Sequence, residues 1–329
     1  MALCAAALVA GCGGSGGGGS EDALQNVPAK GGLRDQVGAA ADPTVADFPA
    51  TKGRSLQAVA NTMSAGPQAG LAGKEYVVGR NRLAFGVIDP AGKFVYGKTA
   101  VYVAPTPNAR ARGPYPAPAD VLVTDPPFRS RQAASETDLF AAVYAAEVPF
   151  PKAGNWTVLI ATQSGGKLLA APSQVQVSTP AQDKIPEVGE PAPHVATDTV
   201  ASAKGDESAI DTRIPPAPEL HEKSFADVVG KRPVALLFAT PQLCQSRVCG
   251  PVTDIALQMK ATYGDRMTFI HQEVYAGNDP AKGLREPLRR FNLRTEPWLF
   301  VVNRSGRITA RLEGSFGIKA FERAIHTAL

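Results

Sequence analysis

Apolar and polar residues alternate with period two along residues 75–178, in short runs separated by turn residues. The runs are rich in β-branched and aromatic side chains, and glycine and proline between them supply the backbone conformations of tight turns. No stretch of useful length there has the period of a helix. The pattern predicts an antiparallel β-sandwich within a domain spanning 56–178. The candidate strands are EYVVG, NRLAFGVID, AVYVAP, DLFAAVYAAEVPF, NWTVLIAT and SQVQVST.

The last third of the chain has a different pattern, in which continuous apolar runs alternate with segments of helical period. The run PVALLFAT (233–240) is typical of a strand buried on both faces. The segment 251–264 has apolar residues at helical spacing, and the C-terminal segment is amphipathic. The element order β-α-β-α-β-β-α predicts an α/β domain with a mixed sheet over 220–329.

Two other segments show neither period. Residues 13–55 begin with GGSGGGGS and stay rich in glycine and alanine, which predicts a flexible linker. Residues 179–219 are rich in proline, which disfavours both helix and central strand. They predict a second linker, part of which we expect to pack on the domain that follows.

Composition narrows the class of partner. The chain has 329 residues, of which 44% are hydrophobic and 19% charged, as expected for a soluble protein of two domains. The net charge is only +4, and no basic stripe is interleaved with aromatic residues. We therefore do not expect the protein to bind nucleic acid.

The first residues, MALCAAALVAGC, form a short apolar run that ends in small residues and Cys12. This ending resembles the lipobox of bacterial lipoproteins. The resemblance implies a signal peptide over 1–12, lipidation of Cys12, and a protein anchored in the lipid bilayer on the extracytoplasmic face of the cell membrane. No Lys or Arg precedes the run, unlike the usual secretory signal, which leaves the true translation start open. The alternative is an ordinary cleaved signal peptide with an incidental cysteine.

The cysteine pair is the main candidate for chemistry. Cys244 and Cys249 are the only cysteines after residue 12, and outside the cytoplasm such a pair can be oxidised. Three features around the pair resemble the thioredoxin family. They are an apolar strand ending in FAT, the sequence CGPV (249–252) at the start of a helix, and RTEPWLFVVNRSGRI (294–308) before a hairpin.

The resemblance implies a thioredoxin-like fold and thiol–disulfide exchange with the thiols or disulfides of envelope proteins, without a cofactor. Cys249 would be the attacking thiolate, Cys244 its resolving partner, and Pro297 a cis-proline that positions the substrate. A helix N-terminus favours negative charge, so we expect the pKa of Cys249 to be lowered, with Arg247 adding positive charge nearby.

The sequence departs from the family pattern in three places. Val252 occupies the position of the second family cysteine, Val248 replaces the tryptophan before the first, and the strand 234–239 carries no buried acid. Two other functions therefore stay open. One is a non-catalytic envelope binding protein with a structural disulfide, although closing so short a loop contributes only about 2 kcal/mol. The other is a thiol peroxidase.

The peroxidase alternative depends on the residues around Cys249. Ser246 and Cys249 fit the second half of the peroxiredoxin motif and Arg294 is an available cation, but Pro241 is one residue too distant.

A metal site is not predicted. Residues 75–178, which resemble immunoglobulin-like modules of bacterial envelope proteins in VYAAEVPFPKAGNWTVLIAT, contain no His, Met or Cys that could bind copper. Trp156 is expected in the core of this module. His271 and His326 are expected to be ordinary packing or surface residues.

Overall fold

The computed structural model describes residues 23–134, 140–244 and 247–329. The signal peptide predicted over 1–12 and Cys12 lie outside these residues. The α-helices are α1 (Leu33–Ala39), α2 (Leu56–Ala60), α3 (Phe225–Val228), α4 (Cys249–Tyr263), α5 (Glu286–Arg290) and α6 (Ile318–His326). Short 3-10 helices span Ala23–Asn26, Lys30–Gly32, Val45–Asp47, Pro126–Phe128, Glu207–Ala209, Pro218–His221, Ala276–Asn278 and Pro280–Lys282.

The strands fall into two groups along the chain. Those of the first part are β1 (Ser64–Ala65), β2 (Gln68–Leu71), β3 (Tyr76–Val77), β4 (Gly79–Ile88), β5 (Thr99–Ala104), β6 (Arg112–Pro116), β7 (Ala119–Val121), β8 (Ala142–Phe150), β9 (Gly154–Ser164) and β10 (Lys167–Ser178). Those of the last part are β11 (Val234–Phe238), β12 (Thr268–Gln272), β13 (Trp298–Val302) and β14 (Ile308–Glu313).

Two sheets form the first part of the chain. One has the order β1-β10-β9-β5-β6, with β3 also paired to β10, and the other has the order β2-β4-β8-β7. Pairing is antiparallel except where β1 and β3 run parallel to β10. Side chains of both sheets share one apolar core, in which Phe85 stacks on Tyr144 at 5.5 Å between ring centroids. Trp156 lies in this core, as predicted. The closer assignment to immunoglobulin-like modules stays a prediction.

Residues 23–55 differ from the flexible linker that their composition predicts. Val27, Val37 and Phe48 are buried, and the N–H of Ala119 in β7 donates to the carbonyl of Ala40 at 3.0 Å. The elements here are only one or two turns long, so their periodicity is too weak to stand out in the sequence. The segment is part of the packed structure around the two sheets.

The third sheet has the order β12-β11-β13-β14. β11 and β12 are parallel and joined through α4, whereas β13 is antiparallel to both β11 and β14. α5 precedes β13 and α6 follows β14. This strand order with these crossovers is the thioredoxin-like topology that the resemblance implies. The protein is thus β-rich, with two sheets followed by a thioredoxin-like sheet.

β11 is apolar throughout because both of its faces are covered. Ala235 and Leu237 face the cluster that includes α4 and α6, whereas Leu236 and Phe238 belong to a second cluster on the opposite face. There the ring of Phe238 lies 5.1 Å from that of Phe291, centroid to centroid.

The proline-rich segment 179–219 packs on the thioredoxin-like sheet, as expected for part of it. Ile185 and Val195 join the apolar cluster around Phe238. Arg311 of β14 holds the segment through ion pairs with Asp183 at 3.0 Å and Glu187 at 2.8 Å. The segment forms only short 3-10 helices, yet part of it is buried.

The sandwich and the thioredoxin-like sheet share a core. One apolar cluster contains Phe85 and Val158 of the sandwich together with Ile255 of α4 and Phe321 of α6. The guanidinium of Arg82, in β4, donates to the carbonyl of Ser315 at 2.8 Å. The sandwich is therefore packed against the thioredoxin-like half and is not held away from it.

Among the described residues, no helix combines the length and the apolar character needed to cross a membrane.

Candidate functional site: two thiols at the start of α4

Cys244 and Cys249 lie where β11 ends and α4 begins. The N–H of Cys244 donates to the carbonyl of Thr240 at 3.0 Å, which folds the chain back directly after β11. α4 begins at Cys249 itself, two residues before the Pro251 start that the sequence predicts. Pro251 fits this first turn because backbone N–H groups there have no partner within the helix. The loop thus places both cysteines at one end of the sheet.

The two sulfurs differ in access. The side chain of Cys244 is 8% exposed and lines a cleft of about 300 Å³, whereas Cys249 is 0% exposed. Sandwich residues form one wall of the cleft, including Phe94, Gln132 and Phe140, and the loop residues Pro241 and Arg247 form another. A reactant that enters the cleft would meet Cys244 first.

Burial raises the pKa of the Cys249 thiol well above its ordinary value. A side-chain hydrogen bond with Cys244 raises it further, and a backbone hydrogen bond from Thr240 opposes the shift. This is the reverse of the lowered pKa that we expected from the helix N-terminus. The cost of placing a charge in an apolar core exceeds the gain from the first amides of α4.

Pro297 lies directly before β13, and its peptide bond with Glu296 is cis, as the resemblance implies. The carbonyl of Pro297 accepts a hydrogen bond from the N–H of Gly314 at 2.8 Å, which ties the turn to the end of β14. Glu296 is electrostatically coupled to Cys244 and Cys249, so this turn faces the cysteine pair.

Glu296 is a site residue that the sequence did not reveal. Burial and, to a smaller extent, the nearby Cys244 raise its pKa to about 7, against the opposing effect of Lys74 of the sandwich. The phenol of Tyr275 is also coupled to both sulfurs and to Glu296, and burial raises its pKa. A titrating carboxyl therefore stands beside the thiols, although β11 carries no acid. The only sequence signal was its position before the predicted cis-proline.

The start of α4 is held against the sandwich. Asp254 of α4 accepts hydrogen bonds from the backbone and hydroxyl of Ser130, both at 3.0 Å, and pairs with Arg213 at 2.8 Å. A Cβ added at Gly250 would lie 2.2 Å from the carbonyl oxygen of Gln132. Only glycine permits this approach, so the residue after Cys249 is fixed by contact with the sandwich.

Other predicted residues lie away from the pair or outside the described ranges. Arg294 is exposed and lines a different pocket, next to Leu293 and Asn292, so it is not available to a peroxide at Cys249. Ser246 lies outside the described residues. Arg247 is exposed with φ +59°. His326 is exposed and contacts Tyr263, whereas His271 is fully buried.

Within the described residues, one group of side chains has the composition of a metal site: Asp211, His221 and His271. One ligand atom from each residue lies within 4.8 Å of the others, and all three residues are buried.

No protein-family model matches the chain, and no curated protein matches it. Solved structures match part of the chain. One is described as the thiol:disulfide interchange protein DsbE from Chlorobium tepidum, with 17% identity over 44% of this chain and 98% of that one, at a TM-score of 0.32.

A second match, a thioredoxin family thiol:disulfide interchange protein from Chlorobium tepidum TLS, has 19% identity over 43% of this chain and 97% of that one, at a TM-score of 0.29. A third match, the thioredoxin-like superfamily protein SPOA0173, has 14% identity over 32% of this chain and 85% of that one, at a TM-score of 0.23. The thioredoxin-like assignment rests on the strand order β12-β11-β13-β14 and on the directions of its pairs.

Proposed function

We propose that the protein is a thiol–disulfide oxidoreductase that exchanges disulfides with envelope proteins through Cys244 and Cys249. The observation that carries the proposal is the position of the two thiols. They are hydrogen-bonded to one another at the start of α4 and face the turn that contains cis Pro297. The names of the structural neighbours agree with this activity.

The exposure of the sulfurs favours Cys244 as the attacking thiol and Cys249 as the resolving one, the opposite of the order expected from the sequence. Cys244 lines the cleft, whereas Cys249 is buried and has a raised pKa. A Cys249 thiol that keeps its proton can donate a hydrogen bond to a thiolate at Cys244, which stabilises the charged form of Cys244.

The exchange then proceeds in two steps. The Cys244 thiolate attacks one sulfur of a substrate disulfide, so that a mixed disulfide forms and the other substrate sulfur leaves as a thiolate. Cys249 loses its proton and attacks the Cys244 sulfur, which releases the second substrate thiolate. Two electrons pass to the substrate, and Cys244 and Cys249 end as a disulfide. Oxidation of a substrate dithiol follows the same steps in reverse.

Glu296 is suited to take the proton of Cys249 in the second step, since its pKa of about 7 lets it exist in either form at neutral pH. Pro297 would orient the substrate chain beside the cleft. The location on the extracytoplasmic face, with a lipid anchor at Cys12, belongs to the same proposal and is supported by the resemblance of the N-terminus to a lipobox.

The test is the redox equilibrium of the full chain against reduced and oxidised glutathione, followed by acid quenching, alkylation and mass measurement. We expect one Cys244–Cys249 disulfide with a reduction potential well above about −300 mV, the range of structural disulfides. A lower potential would favour the binding-protein alternative with a structural disulfide. The Cys244→Ser variant is the control and, unlike the wild type, should accumulate no intramolecular disulfide.

A further inference from the structure

We propose that Asp211, His221 and His271 bind a zinc-type divalent metal ion, at a site separate from the cysteine pair. Asp211 follows the short helix Glu207–Ala209, His221 ends the short helix Pro218–His221, and His271 lies in β12. Two neighbouring turns of one segment and a strand 50 residues further on therefore bring two imidazoles and one carboxylate together, the ligand types that such ions prefer.

Each imidazole lies too far from the carboxylate for a charge-assisted hydrogen bond, and the two contacts use different oxygens of Asp211. Nε2 of His221 lies 3.5 Å from Oδ2 of Asp211, and Nδ1 of His271 lies 3.5 Å from Oδ1 of the same residue. Charge-assisted N–H···O bonds are about 2.7–2.9 Å long. Ligand atoms on a tetrahedral ion with bonds of about 2.0–2.1 Å are about 3.3–3.4 Å apart.

The hydrogen bonds of His271 show which of its nitrogens is available. Its Nε2 lies 3.0 Å from the carbonyl oxygen of Ala239, an acceptor, so Nε2 carries the proton. Nδ1 of the neutral ring then points its lone pair at the Asp211 carboxylate. Metal-binding histidines are oriented in this way, by donating their other N–H to a carbonyl.

The group also contains buried polar atoms without partners. Nδ1 of His221 has no partner, and Nε2 of His221 and Nδ1 of His271 have only the Asp211 oxygens, 3.5 Å away. Both residues are at least 99% buried, with exposures of 1% and 0%. Buried polar atoms are nearly always paired, and leaving one unpaired costs about 1–3 kcal/mol. An ion between the two rings and the carboxylate would supply the missing partner.

Asp211 is itself held in place. Its Oδ1 accepts from the N–H of Arg213 at 2.9 Å and its Oδ2 from the N–H of Ala217 at 2.8 Å. These bonds orient the carboxylate between the two rings. Bound there, the ion would join the proline-rich segment to β12. The hydroxyl of the next residue, Thr212, accepts from the N–H of Gln242, so the site adjoins the cysteine loop without including it.

The experiment measures zinc and cobalt binding to the full chain. Because the ligands are buried, the chain is freed of metal with a chelator and refolded with Zn²⁺ or Co²⁺, so that slow entry into the folded protein cannot hide binding. We expect one ion per chain, and a cobalt spectrum with tetrahedral visible bands but without the near-ultraviolet band of thiolate ligands.

Variants separate the proposed site from the other candidate ligands. Asp211→Asn and His271→Gln should weaken binding by more than the roughly 10–100-fold that loss of a supporting partner costs. The double variant Cys244→Ser/Cys249→Ser and the exposed-histidine control His194→Gln should bind as the wild type does. Circular dichroism shows whether each variant folds.

Failure of the wild-type chain to take up an ion overturns the proposal, as does binding that survives both cluster variants or requires either cysteine. If the cluster variants do not fold, the cobalt spectrum of the wild type decides, because a thiolate band would assign the ion to the cysteines. The result is independent of thiol–disulfide exchange.

Discussion

The carboxylate of Asp120, in β7 of the sandwich, accepts a hydrogen bond of 2.8 Å from the backbone N–H of Ala320, 200 residues further along the chain in α6. Its other oxygen accepts from the N–H of Lys319 at 3.0 Å. Asp120 therefore caps the N-terminus of the last helix from a different sheet, a role that usually belongs to a residue adjacent in sequence.

Replacing this carboxylate should loosen the contact between the two halves. We expect Asp120→Asn to lower the free energy of unfolding by about 1–2 kcal/mol, since it removes a charged acceptor from a helix N-terminus. Urea unfolding measures the change. The exposed-aspartate control Asp265→Asn should fall within about 0.5 kcal/mol of the wild type. Equal stability of the two variants would contradict the capping role.

Gly250 permits a close approach between α4 and the sandwich. Gly250→Ala places a Cβ against the carbonyl of Gln132, and we expect it to destabilise the protein by about 1–3 kcal/mol. Gly66→Ala is the matched control, because its Cβ would meet only the side chain of Leu169 at 3.7 Å. Thermal unfolding compares them, and a neutral Gly250→Ala would show that the two surfaces are not in tight contact.

The two cysteines should differ in reactivity. Cys249→Ser leaves the thiol that lines the cleft, and we expect iodoacetamide to modify it readily near neutral pH. Cys244→Ser leaves the buried thiol with the raised pKa, which should react at least tenfold more slowly, because each unit of pKa lowers the thiolate fraction roughly tenfold. Mass spectrometry follows both reactions. Faster modification of Cys249 would restore the order of attack expected from the sequence.

Glu296 should give the reactivity of Cys244 a dependence on pH. Its pKa is raised to about 7, so the carboxyl is mainly neutral below pH 7 and negative above it. Above pH 7 its charge opposes a thiolate at Cys244. We therefore expect Glu296→Gln to react severalfold faster than the wild type at pH 8 and to differ little at pH 6.

Alkylation rates of the Glu296→Gln variant across this pH range measure the effect. Glu286→Gln, which changes an exposed glutamate of α5, is the matched control and should leave the profile unchanged. A Glu296→Gln profile identical to that of the wild type would remove Glu296 from the site.

Strong local periodicity explains which parts of the fold were predictable. Alternation over 81–89 and the apolar run 233–240 each specify a strand through neighbouring residues alone, and β4 and β11 lie there. The segment 23–55 packs through isolated apolar residues such as Val27 and Phe48, which give no period. Its order depends on the sandwich beneath it, which a local pattern does not describe.

The site was predictable to the extent that it follows a motif. Cys249 and Pro297 were identified because the sequences around them resemble thioredoxin-family motifs. The proximity of Glu296 to the sulfurs, and the burial that raises the pKa of Cys249, depend on packing between segments far apart in sequence. The grouping of Asp211 with His221 and His271 has the same origin. No sequence motif predicts that His221 contacts a strand residue 50 positions later, His271.

The core shared by the sandwich and α4 has a consequence for how the molecule denatures. Residues such as Phe85 and Ile255 belong to one continuous apolar cluster, so neither half can lose its packing without exposing the other. Calorimetry should then record one cooperative transition, although the strand orders are those of two folds. A C-terminal fragment expressed alone would expose the apolar surface that the sandwich normally covers. The reactivity of its thiols would then differ from that in the full chain.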